Sequence, residues 1–210
     1  GINHQGDLSI AKRLIDIAAA AGCDAVKFQK RNPHIAVPEA QKNKPRTWQG
    51  EEMTYLEYKL RTEFGKEEYD EINSYCKKQN IAWSASPWDM DSLNFLSNYD
   101  IPFIKIPSAM LTDDDLLTAC IETGKKVIFS VGMSTAEEIK QAVDTLRIAK
   151  EVYNNKHEIG LLHCNSTYPA PIEELNLSAI KTLRHKYPDF AIGYSGHEMT
   201  LGTTVASVLL

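Results

Sequence analysis

The stretch FIKIPSAM, Phe103–Met110, decides the fold prediction because it has the composition of a buried strand and yet carries polar groups. Three of its residues, Phe103, Ile104 and Ile106, are large and apolar. Lys105 lies between the two isoleucines, and Ser108 follows the end of the run. A cation in a buried strand costs stability unless an anion meets it. The stretch therefore predicts a core strand whose carboxyl end lies near an anion.

Other strand-like runs flank this stretch, and helical patterns separate them. They are GINH (1–4), DAVKFQK (24–30), IAWSASPW (81–88), KVIFSVGM (126–133), IGLLHCNSTYP (159–169) and AIGYSGHE (191–198). Apolar runs without alternation are typical of parallel strands covered by helices. No glycine-rich dinucleotide motif follows the first strand.

Nearly every run ends in polar residues, which favours a barrel over an open sheet. An open sheet gathers its polar residues at one switch point, whereas the strands of a barrel all open onto one mouth. The prediction is an α/β fold, a TIM (β/α)8 barrel with seven strand positions present and the eighth strand not in the chain. Both ends read as truncated.

The helical patterns give more local predictions. Asp7 is expected to cap a helix that closes at Gly22, and Ser134 with Glu137 is expected to form a capping box for a helix over 135–152. Residues 31–62 read as a long loop with one short helix. Further helices are predicted over 66–78, 91–96, 113–122 and 173–186 and at the end of the chain.

Composition narrows the class of protein. The chain has 210 residues, 43% of them hydrophobic, and a net charge of -5, which gives no general attraction to nucleic acid or acidic membranes. No run approaches the roughly 20 apolar residues of a membrane span. The four cysteines form no CxxC pair, so we expect four buried free thiols and a cytoplasmic protein.

The polar residues at the strand ends form one candidate site. Lysine supplies point charge and serine supplies directed hydroxyl donors, so the set suits a small molecule with phosphate and carboxylate groups. From its residue type alone, His197 could be a metal ligand, a base or a packed histidine, and Glu198 could orient it. The candidates are Lys27, Gln29, Ser86, Lys105, Ser108, Ser130, Asn165, Ser166, Tyr168 and His197.

Six motifs in order resemble the sialic acid synthase (N-acetylneuraminate synthase) family: GINHQG, VKFQK, FIKIPS, FSVGMST, LLHCNSTYPAP and IGYSGHE. The resemblance covers nearly the whole chain. It implies a TIM barrel that condenses phosphoenolpyruvate with N-acetylmannosamine or a related sugar, using a divalent metal, Mn²⁺ or Mg²⁺. It also implies a homodimer in the full-length protein. Residues 1–210 would be the barrel domain, without the C-terminal antifreeze-like domain that many members carry.

The resemblance also implies roles for individual residues. Lys27 and Ser86 match positions near the phosphoenolpyruvate carboxylate, and Gln29 matches a position near the sugar. His197 matches one metal ligand, whose second histidine partner would lie after Leu210. Lys27, Gln29 and Tyr168 are the catalytic candidates. The phosphate-side positions are matched by Lys105, Ser108, Ser130, Ser166 and Tyr168, with Asn165 as the alternative to Ser166.

Met110 departs from the family pattern, which commonly has an acidic residue two places after the serine of this strand. That acidic residue is associated with the sugar end of the site, so the acceptor stays open. The alternatives are a synthase for another nonulosonic acid, such as legionaminic or pseudaminic acid, a spore-coat polysaccharide enzyme, and a barrel that binds sugar without catalysis. An unrelated phosphate-binding barrel, such as an aldolase, would require the motif order to be a coincidence.

Overall fold

The structure is a computed structural model that describes residues 3–210. The chain divides into two compact units, Gly1–Pro102 and Phe103–Leu210. Each unit is built from parallel strands and helices in alternation, with the addition of one hairpin in the first unit.

The first unit contains one parallel strand pair. Strand β1 pairs with β4 in a register that places Lys27 opposite Ser84 and Gln29 opposite Ser86. Helix α1 begins after Asp7, whose carboxylate accepts the N–H groups of Ser9 and Ile10, as the sequence predicts. The elements are α1 (Leu8–Ala20), β1 (Ala25–Lys30), α2 (Pro33–Ala36), α3 (Glu39–Lys42), β2 (Pro45–Trp48), β3 (Glu51–Thr54), α4 (Tyr55–Thr62), α5 (Lys66–Lys78), β4 (Ala82–Pro87) and α6 (Met90–Leu96).

An aromatic cluster forms much of the core of this unit. Tyr69 is 1% exposed and packs against Trp83, Phe95 and Tyr99, with ring centroids 5.3–6.3 Å apart. The Tyr69 hydroxyl donates to the backbone carbonyl of Gln29 at 2.8 Å, so the buried phenol is satisfied. The cluster thereby fixes the end of β1.

The prediction of a long loop with one short helix over 31–62 is wrong. This segment holds three helices and the antiparallel hairpin β2–β3. Gln49 and Gly50 both have positive φ, 51° and 84°, which is the backbone of a two-residue hairpin turn. Trp48 packs edge-on against Tyr58, with ring centroids 6.0 Å apart.

The second unit contains a four-stranded parallel sheet in the order β5-β6-β7-β8. Ile104, Ile106, Phe129 and Leu161 are all buried at 1% exposure or less and form the core of the sheet. The elements are β5 (Phe103–Ile106), α7 (Asp114–Glu122), β6 (Lys126–Ser130), α8 (Ala136–Val152), β7 (Gly160–Cys164), α9 (Ala179–Lys186), β8 (Ala191–Ser195) and α10 (Leu201–Val208), with 3-10 turns at Ser108–Met110 and Ile172–Glu174.

Two helix predictions in this unit are wrong in detail. Thr135 and Glu138, rather than Ser134 and Glu137, form the capping box of α8. The sequence STAEE allows both registers, and the structure takes the second one. The helix expected over 173–186 divides into the short 3-10 turn and α9, because a turn at Asn176, with φ of 44°, separates them.

Within residues 3–210, the βα rhythm contains six parallel strands rather than seven. Gly1 and Ile2 of the expected GINH strand lie outside the described residues, and Asn3 and His4 lie in a turn. All four cysteines are free, but Cys23 is exposed, so the prediction of four buried thiols is wrong at that position. No helix within residues 3–210 is both long enough and apolar enough to cross a membrane.

Candidate active site

The carboxyl ends of β5 and β6 bring together the four residues that we call the Lys105 cluster: Lys105, Ser108, Ser130 and Gly132. Lys105 Nζ donates to Ser130 Oγ at 2.6 Å. Ser108 Oγ donates to Ser130 Oγ at 2.9 Å and accepts the Gly132 N–H at 3.0 Å. Ser130 is 1% exposed, whereas Lys105 and Ser108 are half-buried. The predicted partners on β5 and β6 therefore meet in one hydrogen-bonded network.

Gly132 is a member of the cluster that the sequence analysis missed. A Cβ at this position would lie 2.4 Å from Ser166 Oγ, 2.9 Å from the Cys164 carbonyl oxygen and 3.1 Å from Ser108 Oγ. Only glycine leaves room for these groups to approach the backbone so closely. The contact also shows that Ser166 lies beside the Lys105 cluster.

The chemistry of the cluster favours an oxyanion. A lysine ammonium, several hydroxyl groups and a backbone N–H are donors of the kind that bind phosphate in proteins. Ser130 accepts from both Lys105 and Ser108, so the three groups are already oriented before any ligand arrives. The geometry therefore supports a preorganised site for an anion.

Asn165 and Ser166, between which the sequence left the choice open, have different surroundings. The Asn165 side chain accepts the Thr167 N–H at 2.9 Å and donates to the Glu174 carbonyl at 3.2 Å. It therefore holds the loop after β7. Ser166, next to Gly132, is the residue of the two that lies at the cluster.

His197 and Tyr168 form a second arrangement at the ends of β7 and β8. His197 Nδ1 lies 2.7 Å from the Asn165 carbonyl oxygen, which can only accept, so Nδ1 carries the proton. Nε2 lies 2.6 Å from the Tyr168 hydroxyl and accepts it when the ring is neutral. A tyrosine hydroxyl is protonated at neutral pH, so Tyr168 can act as the donor. The backbone carbonyl thus fixes the tautomer that aims the Nε2 lone pair at Tyr168.

Glu198 does not orient His197, although that was one option from the sequence. Its carboxylate accepts the Tyr194 hydroxyl at 2.9 Å and the hydroxyls of Thr203 and Thr204 at 2.8 and 3.1 Å. It therefore ties β8 to helix α10. His163 is a packed strand histidine, with Nε2 2.7 Å from the Leu175 carbonyl oxygen.

In the first unit, Lys27 lies beside Ser86, as the sequence predicts for neighbouring strand ends. Nζ is 3.4 Å from Ser86 Oγ, and Ser86 is fully buried. Burial of the ammonium group, together with the nearby charge of Arg31, lowers the pKa of Lys27 to about 8. The residue as a whole is exposed, so a ligand can reach it from solvent. A bound anion would favour the charged form.

Gln29 is held by a residue that the sequence analysis did not single out. Its Oε1 accepts a hydrogen bond from the Arg31 guanidinium. Arg31 is itself only 9% exposed, and its guanidinium carbon lies 4.4 Å from the centre of the Trp88 ring. A buried arginine directly after a strand has no periodic signature, so composition alone could not find it.

Met110 lies in the 3-10 turn that directly follows β5, two residues after Ser108. Its backbone N–H donates to the Pro107 carbonyl at 2.9 Å, and the side chain is half-buried. The turn is therefore held by a backbone hydrogen bond, and Met110 places a thioether where the resemblance predicts a carboxylate.

The residues present do not make a complete metal site. Across the described residues, 3–210, no group of three or more His, Cys, Asp or Glu side chains could hold a metal ion. Both ring nitrogens of His197 make hydrogen bonds with protein groups. A divalent metal bound through His197 therefore stays a prediction, and no chemical step is derived through it.

Comparison with known proteins identifies the family. The sequence pattern of the NeuB family matches residues 14–210. The chain belongs to the NeuB family. Its relatives include N-acetylneuraminate-9-phosphate synthase of Drosophila melanogaster, 36% identical over 100% of this chain and 55% of that protein. N,N'-diacetyllegionaminic acid synthase of Campylobacter jejuni is 34% identical over 100% of this chain and 62% of that protein.

Solved structures of other proteins confirm the fold. N-acetylneuraminic acid (sialic acid) synthetase from Leptospira borgpetersenii, in complex with citrate, superposes with a TM-score of 0.86 at 35% identity, over 99% of this chain and 66% of that one. A truncated 3-deoxy-D-arabino-heptulosonate 7-phosphate synthase from Thermotoga maritima, 13% identical with a TM-score of 0.61 over 91% of this chain and 60% of that one, supports the fold alone. The predicted class, an α/β fold of TIM-barrel type, is confirmed. This NeuB-family chain spans about half to two thirds of the length of these proteins.

Proposed function

We propose that this NeuB-family chain is the barrel domain of a synthase that condenses phosphoenolpyruvate with N-acetylmannosamine or a related 2-acetamido sugar. The products would be a sialic acid and inorganic phosphate. The names of the relatives support a synthase of this kind. The observation that carries the proposal is the Lys105 cluster, a set of donors hydrogen-bonded to one another at the carboxyl ends of β5 and β6.

The proposed reaction forms one carbon–carbon bond and, at C2, replaces the carbon–oxygen bond to phosphate with one to water, whose proton balances the new hydroxyl on the former aldehyde carbon. C3 of phosphoenolpyruvate attacks the aldehyde carbon of the open-chain sugar, water adds at C2, and phosphate leaves from C2. The Lys105 cluster would hold the phosphate through the ammonium, the hydroxyls and the Gly132 N–H. Positioning of this kind can contribute roughly 7–11 kcal/mol in well-oriented reactions.

Other site residues keep their predicted roles as part of the proposal. Lys27 and Ser86 would bind the phosphoenolpyruvate carboxylate, and their 3.4 Å contact supports a shared ligand group. Gln29 would contact the sugar. Tyr168, whose hydroxyl is hydrogen-bonded to His197 Nε2, would lie on the phosphate side of the ligand. A divalent metal, Mn²⁺ or Mg²⁺, a homodimer and a cytoplasmic location complete the proposal as predictions.

A second candidate function is a synthase for another nonulosonic acid, legionaminic or pseudaminic, or for a spore-coat sugar. Met110 favours it, because an uncharged thioether stands in the turn after β5 where an acidic residue is common in the family. The relative named N,N'-diacetyllegionaminic acid synthase supports the same possibility. The two candidates share the phosphoenolpyruvate chemistry and differ in the acceptor sugar.

The test is phosphate release from phosphoenolpyruvate by the complete protein with a panel of acceptors. The panel contains N-acetylmannosamine, its 6-phosphate and the 2,4-diacetamido sugars that lead to legionaminic and pseudaminic acids. Release with one acceptor and not without it supports the synthase and names the sugar. Binding of phosphoenolpyruvate without release for any acceptor would favour a non-catalytic sugar-binding barrel, and no binding at all would refute both.

A further inference from the structure

Arg31 is a buried cation in the first unit that the proposed reaction does not use. It follows strand β1 directly and is 9% exposed. Its Nε lies 3.6 Å from Glu63 Oε2, which is within ion-pair distance and beyond a hydrogen bond. Nε is also a buried N–H without a hydrogen-bond acceptor among residues 3–210. A cation so deeply placed needs other contacts to fix it.

Those contacts come from Trp88 and Glu63. The Trp88 ring centre lies 4.4 Å from the guanidinium carbon, which is stacking distance for a cation on an indole. Glu63 is shared, since its Oε1 also accepts the Arg31 backbone N–H at 3.1 Å and Lys30 Nζ at 3.3 Å. Burial raises the pKa of Glu63, and the charges of Lys30 and Arg31 oppose that effect. The guanidinium is thus held in one place.

From that place, Arg31 donates to the side chain of Gln29. A guanidinium has five N–H donors and no acceptor, so the Gln29 atom that faces it must be the amide oxygen. The amide nitrogen of Gln29 then points away from Arg31. The orientation of this amide follows from the chemistry of its partner.

We propose that Arg31 is a positioning residue that turns the Gln29 amide so that its NH₂ group faces the substrate. This inference rests on the proposed function, in which Gln29 contacts the acceptor sugar. Gln29 would then act as a hydrogen-bond donor, and the sugar group that it meets is an acceptor, a carbonyl or hydroxyl oxygen. A site whose donor forms a hydrogen bond with a sugar oxygen discriminates against sugars that lack that oxygen.

The experiment uses the complete protein, three single variants at this position pair, and the double variant that combines Arg31→Lys with Gln29→Ala. Arg31→Lys keeps a positive charge near Glu63 but loses the planar fork and the stacking. Gln29→Glu keeps an oxygen for Arg31 and removes the NH₂ donor. Gln29→Ala removes both. The matched control is Arg147→Lys, because Arg147 also pairs with a carboxylate, that of Asp189, and lies over a ring, that of Phe190, at 5.3 Å.

We expect Arg31→Lys to raise KM for the acceptor sugar about tenfold, the effect of one well-placed hydrogen bond, with KM for phosphoenolpyruvate unchanged. Gln29→Glu should raise the sugar KM as much as Gln29→Ala does. In the Gln29→Ala background, Arg31→Lys should add less than a twofold further rise. Arg147→Lys should leave both KM values unchanged. An equal effect of Arg31→Lys with and without Gln29 would overturn the inference, because a purely structural role is additive.

A second measurement separates this inference from the proposed function. The Gln29 side-chain amide can be followed by ¹⁵N NMR and assigned by the loss of its signal in Gln29→Met. With Arg31 intact, the two amide protons should have dispersed shifts, and Arg31→Lys should collapse them toward those of an unrestrained glutamine. If no acceptor supports turnover, the proposed function fails while this readout still decides the role of Arg31. Unchanged Gln29 amide signals in Arg31→Lys would refute it.

Discussion

Replacing Lys105 with methionine tests the proposed phosphate site, because methionine keeps most of the length and apolar volume of the side chain and removes its charge. Lys105 Nζ lies 2.6 Å from Ser130 Oγ, and Ser130 is 1% exposed. A hydrogen bond to a charged group contributes about 1.5–3 kcal/mol. Loss of that interaction with a phosphate would weaken binding of phosphoenolpyruvate by about 10- to 150-fold.

The assay is calorimetric titration of the complete protein with phosphoenolpyruvate. The matched control is Lys126→Met, because Lys126 is the first residue of β6 and Ser130 is the last, so the control removes the same charge at the opposite strand end. The folded state should tolerate Lys105→Met, since the Ser108–Ser130 and Gly132–Ser108 hydrogen bonds remain. An unchanged Kd in Lys105→Met, or an equal loss in Lys126→Met, would refute the reasoning.

Three further predictions follow from individual positions. Gly132→Ala should abolish measurable binding of phosphoenolpyruvate, because its Cβ would lie 2.4–3.1 Å from three neighbouring atoms. The control Gly202→Ala should bind phosphoenolpyruvate normally in the same titration, because no atom lies within 4 Å of the added Cβ. A thiol reagent should label one cysteine, Cys23, in the folded protein and four after unfolding, since the other three are buried; labelling of more than one before unfolding would contradict this. Burial is the main cause that lowers the pKa of His4 to about 3. Its neutral form therefore stabilises the fold above pH 6.5, and this contribution is lost as the pH falls from 6.5 toward 3. In urea unfolding, the free energy of unfolding should fall by about 1 kcal/mol between pH 7 and pH 5, with solvent screening included. A His4→Gln variant should not show this fall, and an equal fall in the variant would count against the assignment to His4.

The strand ends are the part of the site that the sequence could predict. Lys105, Ser108 and Ser130 follow apolar runs in a βα rhythm, and parallel strands bring their carboxyl ends to one edge of a sheet. Their meeting within hydrogen-bond distance is therefore a consequence of the fold class. Side chains placed by regular secondary structure are the ones that periodicity can locate.

Groups placed by the backbone or by distant packing could not be predicted in this way. The Gly132 N–H is a backbone donor, and a glycine after a strand has many uses. Arg31 owes its position to Glu63 and Trp88, which lie 32 and 57 residues further along the chain. The hairpin at 45–54 had one local signal, the Gln49–Gly50 pair, but its strands lack clear alternation. In each case the deciding contact is tertiary.

A crystal structure of the complete protein with phosphoenolpyruvate tests the central claim most directly. We expect the phosphate group to lie within hydrogen-bond distance of Lys105 Nζ, of the Ser108 and Ser130 hydroxyls and of the Gly132 N–H. A phosphoenolpyruvate molecule bound with its phosphate away from these four groups would contradict it.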